Sequence, residues 1–152
     1  MALRLLASAF ADGGWIPDLH TCQGADISPS LEWSGEPADT RSLVLMLDDP
    51  DAPAGTWNHW LVCDIPAAVH NLAQGYKPGR LGVSGTNDFG KLGYGGPCPP
   101  KGHGPHRYFF RLFSMKVASL GLKEGVRRKE LDEALKGQVL AETQYMGRYQ
   151  RA

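Results

Sequence analysis

Residues 41–65, RSLVLMLDDPDAPAGTWNHWLVCDI, decide the fold. From Arg41 to Asp48 the apolar residues run on without alternating with polar ones, the pattern of a strand covered on both faces. Such a strand belongs in the middle of a sheet. Asn58 to Ile65 (NHWLVCDI) repeats the pattern, and the DPDAPAGTW before and into it is too rich in turn formers to prolong the first strand. Strand, loop, strand is therefore the central unit. A third run, Arg107 to Met115 (RYFFRLFSM), is aromatic and apolar enough to be another core strand.

Outward from this centre the chain is irregular. Residues 12–37 are rich in Gly, Pro, Asp and Ser, and read as loop carrying one short strand. Met1 to Ala11 imitates a signal peptide, but its apolar run falls short of the usual span of about 7–15 residues, so it reads as the first strand. Residues 75–105 hold ten glycines and five prolines. A segment of that length and composition inside a compact domain is usually functional. From Arg127 to Tyr149, Leu131, Ala134, Leu135, Gln138, Val139, Glu142, Met146 and Tyr149 fall at steps of three and four, which predicts a C-terminal α-helix. Two features work against it: Arg127, Arg128 and Lys129 at its positive dipole end, and Gly137 inside it at a cost of about 1 kcal/mol relative to Ala. The three basic residues read as a solvated terminus rather than a phosphate patch.

The 152 residues suit one domain, 1–152. Sixteen basic residues balance sixteen acidic ones, so no net field draws the chain to nucleic acid or anionic lipid. No apolar run approaches the roughly 20 residues of a membrane-spanning helix, so a soluble protein is expected. Cys22, Cys63 and Cys98 are few, scattered and odd in number, which argues against a disulfide scaffold and for a reducing cytoplasm.

Two clusters carry possible chemistry. Asp48, Asp49 and Asp51 crowd one loop with Pro50 and Pro53, and His59 opens the next strand; mutual repulsion requires these acids to be hydrogen-bonded or partly protonated. The plainer reading is that Asp and Pro make good turns. The second cluster runs from Gly93 to Tyr108, GYGGPCPPKGHGPHRY, whose glycines expose N–H groups and whose prolines fix the curve, a combination suited to an anion nest. His106 and Tyr108 alternate with Arg107 at a strand start and so share a face. The spacing matches neither nucleotide-binding glycine motif. His59, His106, Asp49, Asp51 and Cys98 are competent zinc ligands, but no paired spacing anchors them, so no metal and no cofactor are expected. No G-x-S-x-G marks a serine nucleophile, and Cys98 between prolines reads as structural.

DDPDAP followed by HW, then GYGGPCPPKGHGPHRYFF, resembles the two signature blocks of the phosphatidylethanolamine-binding protein family, in its bacterial and archaeal branch of Raf-kinase-inhibitor-like proteins. The opening FADGGWIPDLHTCQGADISPSLEWSG and the closing LKGQVLAETQYMGRYQR resemble the same branch. The resemblance implies a mainly β protein: a β-sandwich of a large central antiparallel sheet and a smaller sheet, with helix near the C-terminus. It also implies a small pocket for phosphate-like anions or a phosphoryl head group, lined by Asp49, Asp51, Pro53, His59, Gly96, Cys98, His106 and Tyr108, with Ala52–Pro53 a candidate cis bond. Animal relatives carry a longer C-terminal tail, so a more open mouth is expected here, and a small soluble anion is a better match than a captured lipid.

The expected partner is therefore a small anion such as phosphate, a phosphoethanolamine-like molecule or a carboxylate, held by Gly-loop N–H groups, the Tyr108 hydroxyl and donating imidazoles. Modulation of a kinase or protease through the pocket rim is a further expectation, with no target legible. The alternative is a hydrolase of small phosphorylated or acyl substrates using His59 or His106 with Asp49. Trp15, Trp57 and Phe89, as apolar loop residues, permit a homodimer.

Overall fold

The computed structural model describes residues 2–152. In chain order the strands are β1 (Arg4–Ala7), β2 (Leu31–Ser34), β3 (Ser42–Asp49), β4 (Trp57–Pro66), β5 (Asn71–Leu72), β6 (Val83–Ser84), β7 (His106–Met115) and β8 (Val139–Tyr149). One α-helix, α1 (Arg128–Leu135), precedes β8. A five-stranded antiparallel sheet runs β6-β4-β3-β7-β8, and a three-stranded antiparallel sheet runs β1-β2-β5. This is the mainly β, two-sheet architecture that the family resemblance implies.

β3 is buried at every position because both of its faces are covered. Leu43, Leu45 and Leu47 join Trp60, Val62, Phe110 and Leu112 in a core against the small sheet. Val44 and Met46 join Leu61, Phe113 and Met115 in a second core beneath Leu131 of α1. Each fully buried Leu contributes roughly 1.5–3 kcal/mol of transfer free energy, so an unbroken apolar run is what this position demands. Asp48 shares the α1 face, where it accepts from Asn58 Nδ2 at 3.1 Å and pairs with Arg128. Arg128 is thus the ionic anchor of the helix on the sheet, not part of a solvated terminus.

The predicted helix over Arg127–Tyr149 is corrected: only Arg128–Leu135 is helical, and residues 139–149 form β8. Gly137 adopts φ +76°, the left-handed conformation that stops a helix without a Cβ penalty. Beyond it Tyr145, Gly147 and Tyr149 are buried at every second residue, the period of a strand. β8 pairs with β7 along its length, from Met115 opposite Val139 to His106 opposite Tyr149. Residues 13–16 cover its outer edge, with Ile16 N–H donating to Arg148 O at 2.9 Å. A Cβ on Gly147 would lie 2.5 Å from an Ile16 carbon, so glycine there lets the N-terminal segment dock.

The expectation of separate thiols is also corrected. Cys22 and Cys98 form a disulfide across 76 residues of sequence, and only Cys63 is free, buried in the core. Sequence distance conceals the pairing because hydrogen bonds bring the two loops together: Cys22 N–H to Pro97 O at 3.1 Å and Tyr94 OH to His20 O at 2.6 Å. The cysteine argument for a cytoplasmic location thereby loses its premise. Among the described residues, no helix is long and apolar enough to cross a membrane. Ala52–Pro53 is trans; the turn is closed instead by Gly55, at φ +110°, whose N–H reaches Ala52 O at 3.1 Å.

Candidate ligand-binding site

The three crowded aspartates at the end of β3 and in the loop after it are sent to three different cations or imidazoles. Asp48 points to α1 and takes Arg128. Asp49, one residue on and on the opposite sheet face, accepts from His106 Nδ1 at 2.6 Å through one oxygen and from the Asp51 N–H at 2.8 Å through the other. Asp51 turns outward to a bidentate pair with Arg107, at 2.9 and 2.8 Å. The Arg107 hydrogen bond holds the Asp51 carboxyl down to about 2 against the opposing effect of partial burial. Pairing therefore resolves the repulsion, and only Asp49 remains beside His106.

His59 reaches the same place through a bulge. Leu47 faces Trp60 and Asp48 faces Asn58, so β4 spends one extra residue, His59, between them. A bulge re-aims the side chain it inserts. The His59 ring meets Tyr108 edge-on at 5.3 Å and Phe89 at 5.1 Å. Its Nδ1 lies 2.8 Å from Gly95 O and 3.1 Å from Gly96 O, two pure acceptors, so Nδ1 carries the proton. Nε2 is then a lone-pair acceptor. Burial pushes the His59 pKa down, against the upward pull of the Gly95 carbonyl and the Asp49 charge, and the ring is held neutral.

The glycine-rich segment builds the opposite wall. Gly95 N–H donates to His59 O at 2.9 Å, and Gly96 N–H donates to Asp26 Oδ1 at 2.8 Å. A Cβ on Gly96 would fall 2.2 Å from His20 O, so this approach of two backbones requires glycine. Asn87 stitches the segment further, giving Nδ2 to Gly93 O at 2.9 Å and accepting from Phe89 N–H and Lys91 N–H. Between the walls opens a cleft of about 350 Å³. Asp49, His59, His106 and Tyr108 form its polar side; Ala52, Pro53, Ala54, Trp57, Phe89, Cys98, Pro99 and Pro100 form the rest. Tyr108 is fully buried, its hydroxyl lies beside Asp49 without a hydrogen bond of ordinary geometry, and burial together with the Asp49 charge drives its pKa up, so the phenol keeps its proton. Trp57 Nε1 is likewise buried and unpartnered.

A family profile described as phosphatidylethanolamine-binding protein matches residues 7–150. The chain belongs to the phosphatidylethanolamine-binding protein family. It is 46% identical to a UPF0098 protein of Aquifex aeolicus, over 98% of this chain and 89% of that one. It is 44% identical to a UPF0098 protein of Methanothermobacter thermautotrophicus, over 98% and 99%. The crystal structure of a phosphatidylethanolamine-binding protein homolog, CT736 of Chlamydia trachomatis, superposes with TM-score 0.91 at 39% identity over 99% of both chains. That of E. coli YbcL, described as a new member of the mammalian family, gives TM-score 0.92 at 32% identity over the whole of both.

Of the eight residues that the family resemblance assigned to the pocket, Asp49, Pro53, His59, Cys98, His106 and Tyr108 meet in the cleft. Asp51 does not, because Arg107 claims it at the surface. Gly96 does not line it either; it gives its N–H to Asp26 and its carbonyl to His59. Cys98 contributes as half of a disulfide. The anion nest of glycine N–H groups is corrected for Gly95 and Gly96, whose N–H groups are already spent on protein acceptors. Among the described residues, no group of three or more His, Cys, Asp or Glu is placed to hold a metal ion. Trp57 and Phe89, expected as loop aromatics, wall the cleft and touch edge-to-face at 5.5 Å. Trp15 stays about half exposed under Arg148, whose guanidinium lies 4.5 Å from its ring.

The neutral His59 fixes a pH dependence. Its folded pKa lies below the ordinary 6.5, so below pH 6.5 the unfolded chain binds the extra proton. The stability that the neutral ring supplies is complete above that pH and drains away as the pH falls, by up to roughly 1.4 kcal/mol per unit. His59→Gln, which cannot titrate, closes the gap with the wild type as denaturation is measured at pH 7.5, 6.5 and 5.5. A constant gap means that His59 is not held neutral.

Proposed function

We propose that the cleft binds a small oxyacid anion, without turnover, through groups that have no partner in the protein itself. The observation that carries this reading is the pair of buried, unpartnered donors, Tyr108 OH and Trp57 Nε1, on two residues that line the cleft. Each unsatisfied buried group costs about 1–3 kcal/mol, which a ligand oxygen recovers. The neutral His59 adds an acceptor, Nε2, suited to a ligand O–H or N–H. A monoprotonated phosphoryl group, a carboxylic acid or a phosphoryl group carrying an ammonium offers both kinds of partner. The apolar mouth of Pro53, Ala54, Phe89, Pro99 and Pro100 suits an uncharged substituent beside that group.

Tyr108→Phe tests this with effects of opposite sign. Removing an unsatisfied hydroxyl leaves the free protein as stable as before or about 1 kcal/mol more stable. The same change weakens phosphate or phosphoethanolamine binding about tenfold and shrinks the ligand-induced rise in melting temperature. No rise for the wild type at millimolar ligand, or an equal rise in the variant, overturns the proposal.

One observation favours a second reading. The Asp49–His106 hydrogen bond is the orienting half of a hydrolytic site. Water would have to be the nucleophile, since no serine lines the cleft and the Cys98 sulfur is bonded to Cys22. His106 Nε2, the atom a general base would use, already meets His103 at 2.6 Å, which places the binding reading first. Turnover of phosphoesters or carboxylic esters that disappears with His106→Gln would reverse the order.

A further inference from the structure

His103 is unexplained by the cleft as described. It is exposed, it lines no part of the cleft, yet its Nδ1 lies 2.6 Å from His106 Nε2. His106 in turn lies 2.6 Å from Asp49 through Nδ1. Asp49 and His106 are buried, at 3% and 2% exposure, so the row runs from the cleft floor to solvent. We propose that the cleft takes up one proton with its anion and that His103 is the residue that holds that proton. The proposal rests on the anion-binding reading above and adds a residue and a proton to it.

Proton counting supports it. The Asp49 carboxylate accepts, so neutral His106 carries its hydrogen on Nδ1 and offers a lone pair at Nε2. That lone pair accepts the His103 Nδ1–H, which leaves His103 Nε2 as the open lone pair. The row then bears one net negative charge, on a carboxylate at the floor of a cleft meant for an anion. A proton arriving from water bonds to His103 Nε2. No other bond changes: His103 becomes the imidazolium, its Nδ1–H still donates to His106 Nε2, and the row is neutral. The repulsion that Asp49 would exert on the incoming charge is thereby offset.

The neighbouring groups do not supply this charge. Asp51, from the β3–β4 loop, is held by Arg107 of β7. His59, from β4, is kept neutral by burial. Tyr108 of β7 keeps its phenolic proton. Arg151, after β8, is permanently charged and spends its Nε on Pro99 O at 2.6 Å, while its own carbonyl accepts the Gly102 N–H at 3.0 Å and so holds the His103 loop. That leaves the His103–His106 pair to accept the proton.

Calorimetry of inorganic phosphate binding at pH 7.5, in buffers of different ionisation enthalpy, counts the protons. Phosphate's own titration enters wild type and variant alike. The wild type takes up about one more proton per phosphate than His103→Gln, and its affinity falls by up to about tenfold more per pH unit on the alkaline side. His103→Gln can still hydrogen-bond His106 and, being at the surface, leaves the fold intact, so a merely structural role would not change the count. Phosphate binding with equal proton counts overturns the proposal while sparing the anion-binding reading. No phosphate binding by the wild type overturns both.

Discussion

Replacing Cys22 and Cys98 together by serine lowers stability by about 4 kcal/mol and the melting temperature by about 10 °C. The bridge closes a loop of 76 residues, and the stabilisation from restricting the unfolded chain grows with loop length. Both sulfurs lie in loops otherwise held by hydrogen bonds, among them those of the Cys22 N–H, the Tyr94 hydroxyl, the Gly96 N–H, the Tyr149 hydroxyl on Gln23 and the Arg151 Nε on Pro99 O. Those bonds contribute only about 1 kcal/mol each, so they do not replace a covalent tie. Cys98, Pro99 and Pro100 form one wall of the cleft, and freeing them weakens phosphate binding as well. Chemical denaturation of the double variant, and of the wild type with and without reductant, measures the loss. A loss below 1 kcal/mol would mean that the hydrogen bonds alone fix the loop.

The sequence carries the central sheet plainly because β3, β4 and β7 are governed by burial, and burial writes itself into composition. β3 is apolar on both sides since it has a core on both sides. β8 is a different case. It is an outer strand with one half-covered face, so its pattern is diluted, and Leu131 and Leu135 from α1 combine with Val139 and Tyr149 to imitate a helical stripe. The decisive residue is Gly137, whose positive φ separates the two elements. A glycine there is compatible with either reading until the conformation is seen.

The site divides in the same way. His106 and Tyr108 share a face by strand alternation, which residue spacing alone supplies. His59 follows no such rule, because alternation from Trp60 would send it to the other face, and the bulge that corrects its direction has no signature in residue type. Asp51 shares the motif with Asp49 but not its direction: proximity in sequence to Asp49 says nothing about the Arg107 guanidinium waiting on β7. The disulfide and the His103–His106 contact both depend on how the glycine-rich segment folds back, and that path is set by hydrogen bonds such as those of Asn87 and Asp26 rather than by any periodic pattern.

His106→Ala is expected to abolish phosphate binding, by at least about a hundredfold, and to cost about 3–5 kcal/mol of stability, for one physical reason. Asp49 is buried and His106 is its charge-assisted partner, so truncation leaves a carboxylate in the cleft floor with a single backbone N–H for company. The orphaned charge destabilises the fold and repels the anion at once. Asp49→Asn in the same chain separates this from simple loss of packing. A neutral amide needs no counter-charge, so the double variant regains more than half of the lost stability, a coupling readable in a double-mutant cycle. It regains phosphate binding only in part, because the imidazole that lines the cleft is still missing. Equal stability of the single and double variants would show that His106 matters through its volume, and that Asp49 is not the charge around which the cleft is built.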